Sequence, residues 1–268
     1  MIDSGRLVFV GGLHRSGTTV LAHALSEHPA ISGLTRTSVR EDEGQHLQSV
    51  YPAAKTYGGP GRFALAERAH LTEASPLATP QNAQLLLDAW APYWDLEKTY
   101  LVEKSPPNLL MTRFLQAMFP AASHVIVVRH PIVVALSTKK WARRRTVEQL
   151  VEHNLRAYEL FDKDAASLRR VHVLRYEELV RDPARELGRV SDFLGLSSPI
   201  PTSAVRTGHS RAYEDRWAQY LSGGPISRHL RHRIEQKYGE RLQSLGYYPD
   251  DLTRLGPVQA NWARRGNL

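Results

Sequence analysis

Residues Leu7 to His28 read Leu-Val-Phe-Val-Gly-Gly-Leu-His-Arg-Ser-Gly-Thr-Thr-Val-Leu-Ala-His-Ala-Leu-Ser-Glu-His. Leu7 to Val10 is a short apolar run, the pattern of a buried strand. A turn of small residues follows, and the spacing predicts an amphipathic helix from about Gly17. The N–H groups of Ser16 to Thr19 are then expected to point, unpaired, out of the helix N-terminus. Such an end binds phosphate through orphan donors and the positive end of the helix dipole. Gly12 to Thr19 nearly fits the P-loop pattern G-x-x-x-x-G-K-[ST], but Thr18 stands where the lysine belongs. The nearest cation is Arg15. The loop is built for phosphate and poorly suited to a magnesium nucleoside triphosphate.

The rest of the chain extends this strand–turn–helix start. It has 268 residues, 42% of them hydrophobic, and no cysteine. The length suits one large α/β domain, and the absent cysteines exclude disulfides and cysteine-ligated metals. No apolar run reaches membrane-spanning length, and Met1 to Arg6 has no signal-peptide shape. Net charge is +8, which attracts anions. Arg143-Arg144-Arg145 is the one dense basic cluster and reads as a solvated helix end, and no nucleic-acid-binding motif is visible.

Further strands are predicted at Ile31–Leu34, Tyr100–Val102, His124–Arg129 and Val171–Arg175. Helices are predicted over Phe63–Leu71, Thr79–Trp94, Asn108–Phe119, Val147–Leu168, Tyr213–Leu221 and Pro225–Leu245. Pro92 is expected to kink or end the second of these. Leu86, Trp90 and Trp94 recur at helical spacing and read as core, and Trp141 reads as packing. Tyr57 to Gly61 is a loop by composition, either a lid or a connection. Three acids, Glu41-Asp42-Glu43, precede a short helix, where they would also suit a helix dipole. Lys104 closes a strand, at the end where parallel sheets place ligand chemistry. Arg129 leaves the most apolar strand and offers a planar fork for phosphate.

Arg15-Ser16-Gly17-Thr18-Thr19 after a strand resembles the 5′-phosphosulfate loop of sulfotransferases that use 3′-phosphoadenosine 5′-phosphosulfate (PAPS). The longer string Val10 to Thr19 is most similar to the tyrosylprotein sulfotransferase branch and its soluble bacterial relatives. The resemblance covers Leu7 to Leu196 and reaches more weakly to Leu245. It implies a three-layer P-loop-like fold, a parallel sheet flanked by helices. It implies a catalytic glutamate, Glu43 or Glu41, with Glu43 favoured because Gly44 beside it allows close backbone approach. It implies that Lys104 touches the transferring group, and that Arg129 with Ser137 binds the donor's 3′-phosphate. Tyr176, in Arg175-Tyr176-Glu177-Glu178-Leu179, is similar to a tyrosine lining the nucleotide site. Ser210 and Arg211 are the candidates for a late loop over the donor. Arg15 and Ser16 to Thr19 complete the donor set.

The combined expectation is a single sulfotransferase domain over residues 1–268, with a loosely ordered tail from 252. It moves a sulfuryl group from PAPS to an acceptor hydroxyl and requires no metal. The acceptor is a small molecule, glycan or lipid, with a homodimer left open and a cytoplasmic location as the default. The branch's membrane anchor has no counterpart here, which leaves a protein-tyrosine acceptor in doubt. The alternatives are a small-molecule kinase using ATP and magnesium, and a noncatalytic nucleotide-binding module.

Overall fold

The computed structural model describes residues 2–206 and 210–265. Five strands, β1 (Leu7–Gly12), β2 (Ile31–Gly33), β3 (Tyr100–Lys104), β4 (Ser123–Val128) and β5 (Val171–Arg175), form one sheet in the order β2-β3-β1-β4-β5. Every neighbouring pair is parallel, with Val8 opposite Val102 and Ser123, and Val128 opposite Arg175. All carboxyl ends therefore share one edge of the sheet. That edge is where the phosphate loop, Lys104 and Arg129 emerge.

The strands bury both faces, as continuous apolar runs should. Val8 and Val10 pack with Val125 and Val127 against helix α1 (Thr18–Ser26) on one side. Leu7 and Phe9 alternate to the other side, against α2 (Pro80–Trp90) and α3 (Thr112–Met118). Ile126 and Val128 meet α4 (Pro131–Thr138) and α5 (Val147–Ala165) in the largest cluster. Helices α6 (Tyr176–Arg181) and α7 (Pro183–Leu194) follow β5, and α8 (Arg211–Ser222) with α9 (Pro225–Ser244) close over the α5 side.

Several elements differ from the sequence expectation. The helix expected to Trp94 stops at Trp90, and a 3-10 turn at Ala91–Tyr93 absorbs Pro92. Phe63–Leu71 holds only two single 3-10 turns, at Phe63–Leu65 and Glu67–Ala69. Residues 266–268 of the tail lie outside the described residues, and the tail is described only to Arg265. Leu252, Ala260 and Trp262 are buried in the main cluster, and α10 (Asn261–Arg265) docks with Asn261 Nδ2 on Asp162 at 3.1 Å. One buried indole outweighs the polar composition of that tail. No helix among the described residues is long and apolar enough to cross a membrane.

Candidate active site

The loop after β1 is held in a shape that most residues avoid. Arg15 has φ 72° and Gly17 has φ 111°. A Cβ on Gly17 would also fall 2.3 Å from the Tyr176 ring, so this position excludes a side chain twice over. The Ser16 N–H turns inward to the Leu13 carbonyl at 2.9 Å. It is therefore not among the free donors expected from the sequence, which begin with α1 itself. The Ser16 hydroxyl is fully buried and has no partner among the described residues. Buried polar groups are rarely left so, and such a group marks a ligand position or a local strain.

Arg15 reaches across the sheet edge. Its Nε donates to Ser137 Oγ at 3.1 Å, and Ser137 Oγ in turn donates to Tyr213 Oη at 3.1 Å. Ser137 lies two turns into α4, so its hydroxyl meets the loop rather than the end of β4. Arg129, itself 5% exposed, donates from Nη1 to the Arg15 carbonyl at 2.9 Å and from Nη2 to Ser210 Oγ at 2.8 Å. Its guanidinium lies 4.1 Å from the Tyr176 ring centroid, and its Nε is buried without a partner among the described residues. The backbone of Arg129 is clamped by Tyr158, whose hydroxyl accepts from its N–H at 2.9 Å and donates to its carbonyl at 3.0 Å. Arg15, Ser16, Gly17, Arg129, Ser137, Tyr176 and Ser210 thus converge. Arg211 is exposed at the start of α8, and its side chain makes no hydrogen bond among the described residues.

The acidic segment crosses the same edge. Glu41 and Asp42 both have positive φ, 58° and 49°. Left-handed backbone costs about 1–2 kcal/mol for such residues, so outside contacts must hold it. Lys104 Nζ donates to the Glu41 carbonyl at 2.7 Å, Thr19 Oγ1 donates to the Glu41 carboxylate at 3.0 Å, and Thr37 Oγ1 bonds the Asp42 carboxylate. Glu43 is buried, with one oxygen 3.5 Å from Lys104 Nζ and the other accepting from Gln45 Nε2. Gly44 is pressed onto β3, and a Cβ there would stand 2.5 Å from Glu103 Oε1. The Gln45 N–H donates to Ser105 Oγ at 2.9 Å. Glu43 therefore takes its place from β3, not from a helix of its own.

These groups line a cavity of about 290 Å³ that contains His14, Arg15, Thr18, Thr19, Glu41 and Glu43. Burial holds His14 down at about 3, with the charges of His153 and Lys104 adding to the effect. Burial also lowers His46, against the pull of the Glu43 carboxylate 3.7 Å away. Both rings are neutral near pH 7. Glu103, beneath the segment, is pushed up to about 7 by burial, which overrides its bonds from Ser105 and Asn108. For Tyr213, burial acts upward, yet the Ser137 bond and the Arg15 charge bring the phenol below its ordinary value. No group of three or more His, Cys, Asp or Glu that could hold a metal occurs among the described residues.

Trp141 is not packing. It is 43% exposed, with Arg15, Arg40 and Lys140 at 4.9, 5.1 and 5.2 Å from its ring. An indole face attracts cations, and this one gathers Arg15 from the loop after β1, Arg40 from the acidic segment and its neighbour Lys140. Tyr158 and Tyr213 carried no sequence signal, since a tyrosine on an amphipathic helix looks like any core residue. His130 caps α4, with its Nδ1 accepting from the Ile132 N–H at 3.2 Å and its Nε2 facing the Tyr248 carbonyl at 3.2 Å.

The profile of the Sulfotransferase family matches residues 8–199. Nodulation protein NoeE of Sinorhizobium fredii is 27% identical over 145 residues, 50% of this chain and 31% of that protein. Protein-tyrosine sulfotransferase 2 of Gallus gallus is 24% identical over 202 residues, 71% of this chain and 51% of that protein. The chain thus spans between about a third and a half of the length of these relatives. Mouse sulfotransferase SULT7A1, solved in complex with PAP, superposes with a TM-score of 0.51 at 13% identity, over 89% of this chain and 85% of that one. That likeness speaks to the fold, a P-loop-like parallel sheet between helices. The matched span runs from β1 through α7 and holds the loop, Lys104, Arg129, Ser137 and Tyr176, and the chain belongs to the Sulfotransferase family.

Proposed function

We propose that this protein transfers the sulfuryl group of PAPS to an acceptor hydroxyl, with residues 1–268 acting as one domain and Glu43 taking the proton. The observation that carries the reading is the convergence of two arginines on one polar cluster. Arg15 and Arg129 meet through Ser137, the Arg15 carbonyl and Ser210, beside the Tyr176 ring. The buried, unpartnered Ser16 hydroxyl and Arg129 Nε fit a phosphorylated nucleotide, which would satisfy both. Ser16, the α1 N-terminus, Thr18 and Thr19 would hold the 5′ end. Arg129, Ser137 and Ser210 would hold the 3′-phosphate, with Tyr176 against the nucleoside and Arg211 at the rim.

When bound, the donor supplies the sulfuryl group, whose bond to the 5′-phosphate breaks as the acceptor oxygen bonds to sulfur. Glu43 removes the hydroxyl proton, help of about a hundred- to ten-thousandfold in rate. Lys104 steadies Glu43 and neutralises charge at the leaving side together with Arg15 and the helix end. Glu41, whose carboxylate accepts from Thr19 and makes no ion pair with Lys104 Nζ among the described residues, is the alternative base. The missing P-loop lysine weighs against an ATP-dependent kinase.

Calorimetry with 3′,5′-adenosine bisphosphate, set against ATP plus magnesium, tests the donor. Micromolar binding of the bisphosphate and transfer of label from PAPS are expected. Binding of ATP with magnesium and not of the bisphosphate would return the chain to the kinase reading. Binding without any transfer, unaltered by changing Glu43 and Lys104, would leave a nucleotide-binding module.

A further inference from the structure

A second groove opens beside the cavity and shares Arg40, Gln45, His46 and Lys55 with it. It measures about 490 Å³ and extends past Val39, Gln48 and Thr56. The two spaces differ in charge. The inner cavity holds Glu41 and Glu43 as well as cations. The outer groove is lined by Arg40 and Lys55 and by no carboxylate among the described residues. Neither cation forms an ion pair there, and Arg40 instead lies over the Trp141 ring at 5.1 Å. On the α5–α9 face, by contrast, Arg233 and Lys237 pair with Glu148, and Arg241 with Glu152 and Glu159.

An acceptor whose hydroxyl reaches Glu43 in the inner cavity can extend into this groove, with which the cavity shares four lining residues. We propose that the acceptor is anionic: it carries a carboxylate, or a sulfate of similar charge, that pairs with Arg40 and Lys55 while its hydroxyl faces Glu43. The inference rests on the sulfuryl-transfer reading and names the substrate class for it. Physically, the two uncompensated cations raise the local concentration of anions and reject cationic molecules. They also offset the repulsion that Glu41 and Glu43 exert on any anionic substrate. Arg40 sits one residue before the left-handed pair Glu41-Asp42, so the group that fixes the acceptor and the group that deprotonates it belong to one short segment.

The test uses the full chain, labelled PAPS and paired probes of equal shape. One pair is 4-hydroxyphenylacetate and 4-hydroxyphenylacetamide, and the other is a methyl glucuronide and the matching methyl glucoside. The carboxylated member of a pair is expected to have kcat/KM higher by about tenfold, the value of one charge-assisted contact. That advantage should shrink as salt rises. Lys55→Gln should remove most of it through KM, leaving bisphosphate affinity as in the parent, and Arg40→Gln should do the same to the preference. Equal or better use of the neutral probes overturns the inference. So does a preference that survives both substitutions, or no transfer to either carboxylated probe while the bisphosphate binds. Failure of the bisphosphate to bind would instead overturn the donor reading beneath it.

Discussion

Replacing Arg129 by alanine should separate the two ends of the nucleotide. Arg129 is buried to 5% exposure, so solvent screens its charge weakly. Among the described residues its Nε has no partner, and its two outer nitrogens bond only the Arg15 carbonyl and Ser210. A 3′-phosphate placed there would take at least two charge-assisted hydrogen bonds, each about 1.5–3 kcal/mol. The loss on truncation is therefore about 3–6 kcal/mol, or roughly a hundred- to ten-thousandfold in affinity. Adenosine 5′-phosphate lacks the 3′ group and should lose less than about threefold, an exposed-contact effect. The fold should survive, because Tyr158 grips the Arg129 backbone and not its side chain. Calorimetric titration of both nucleotides into both proteins reads the difference directly, and thermal unfolding checks the scaffold. Equal losses for the two nucleotides, in a variant that unfolds at the parent temperature, would refute the assignment of Arg129 to the 3′ end.

Three further outcomes are expected. Glu43→Gln should lower kcat by about a hundredfold or more with bisphosphate affinity unchanged, while Glu41→Gln costs much less; the reverse ranking, read in single-turnover transfer, would move the base to Glu41. His124 is buried with both ring nitrogens unpartnered and stacks on Phe9 at 5.7 Å. His124→Phe should therefore raise stability by about 1 kcal/mol at pH 8, since relief of two unmet polar groups exceeds the cost of a slightly larger ring, and a lower urea midpoint would contradict this. For Glu103, burial lifts the carboxyl from 4.5 to about 7. The folded chain then holds a proton that the unfolded chain releases near 4.5, so stability falls as pH rises across that window. Relative to Glu103→Gln, the parent should lose about 3 kcal/mol between pH 4.5 and 7, and parallel urea midpoints for the two proteins would refute the shift.

What was legible in the sequence is what depends on local pattern. The strands are buried on both faces, so apolar runs such as Leu7–Val10 and Val125–Val128 stand out. The groups at strand ends, Lys104 and Arg129, follow from the strands themselves. Ser137 was found through the resemblance, and its contact with Arg15 could not be read from spacing, because it depends on how α4 leaves β4. The acidic segment was located but not resolved. Which of Glu41 and Glu43 is buried depends on Glu103, Ser105 and Trp90, residues about sixty and forty-five positions away. Trp141 was misread because exposure of an aromatic depends on its cationic neighbours, and Arg40 and Arg15 come from other elements.

The left-handed stretch at Glu41 and Asp42 has a consequence for changing what this enzyme acts upon. Its shape is not written in its own residues, since it is secured by Thr19 from α1, Lys104 from β3 and Thr37 from the preceding loop. A chimaera that transplanted residues 36–57 from a relative would carry the recognition surface away from its moorings. The graft would need its matching partners at positions 19, 104 and 105, or the relaxed segment would draw the carboxylate of residue 43 out of reach. If Glu43 is the base and Arg40 meets the acceptor, as proposed above, acceptor choice and proton removal would be inherited together, as one cassette with three remote anchors.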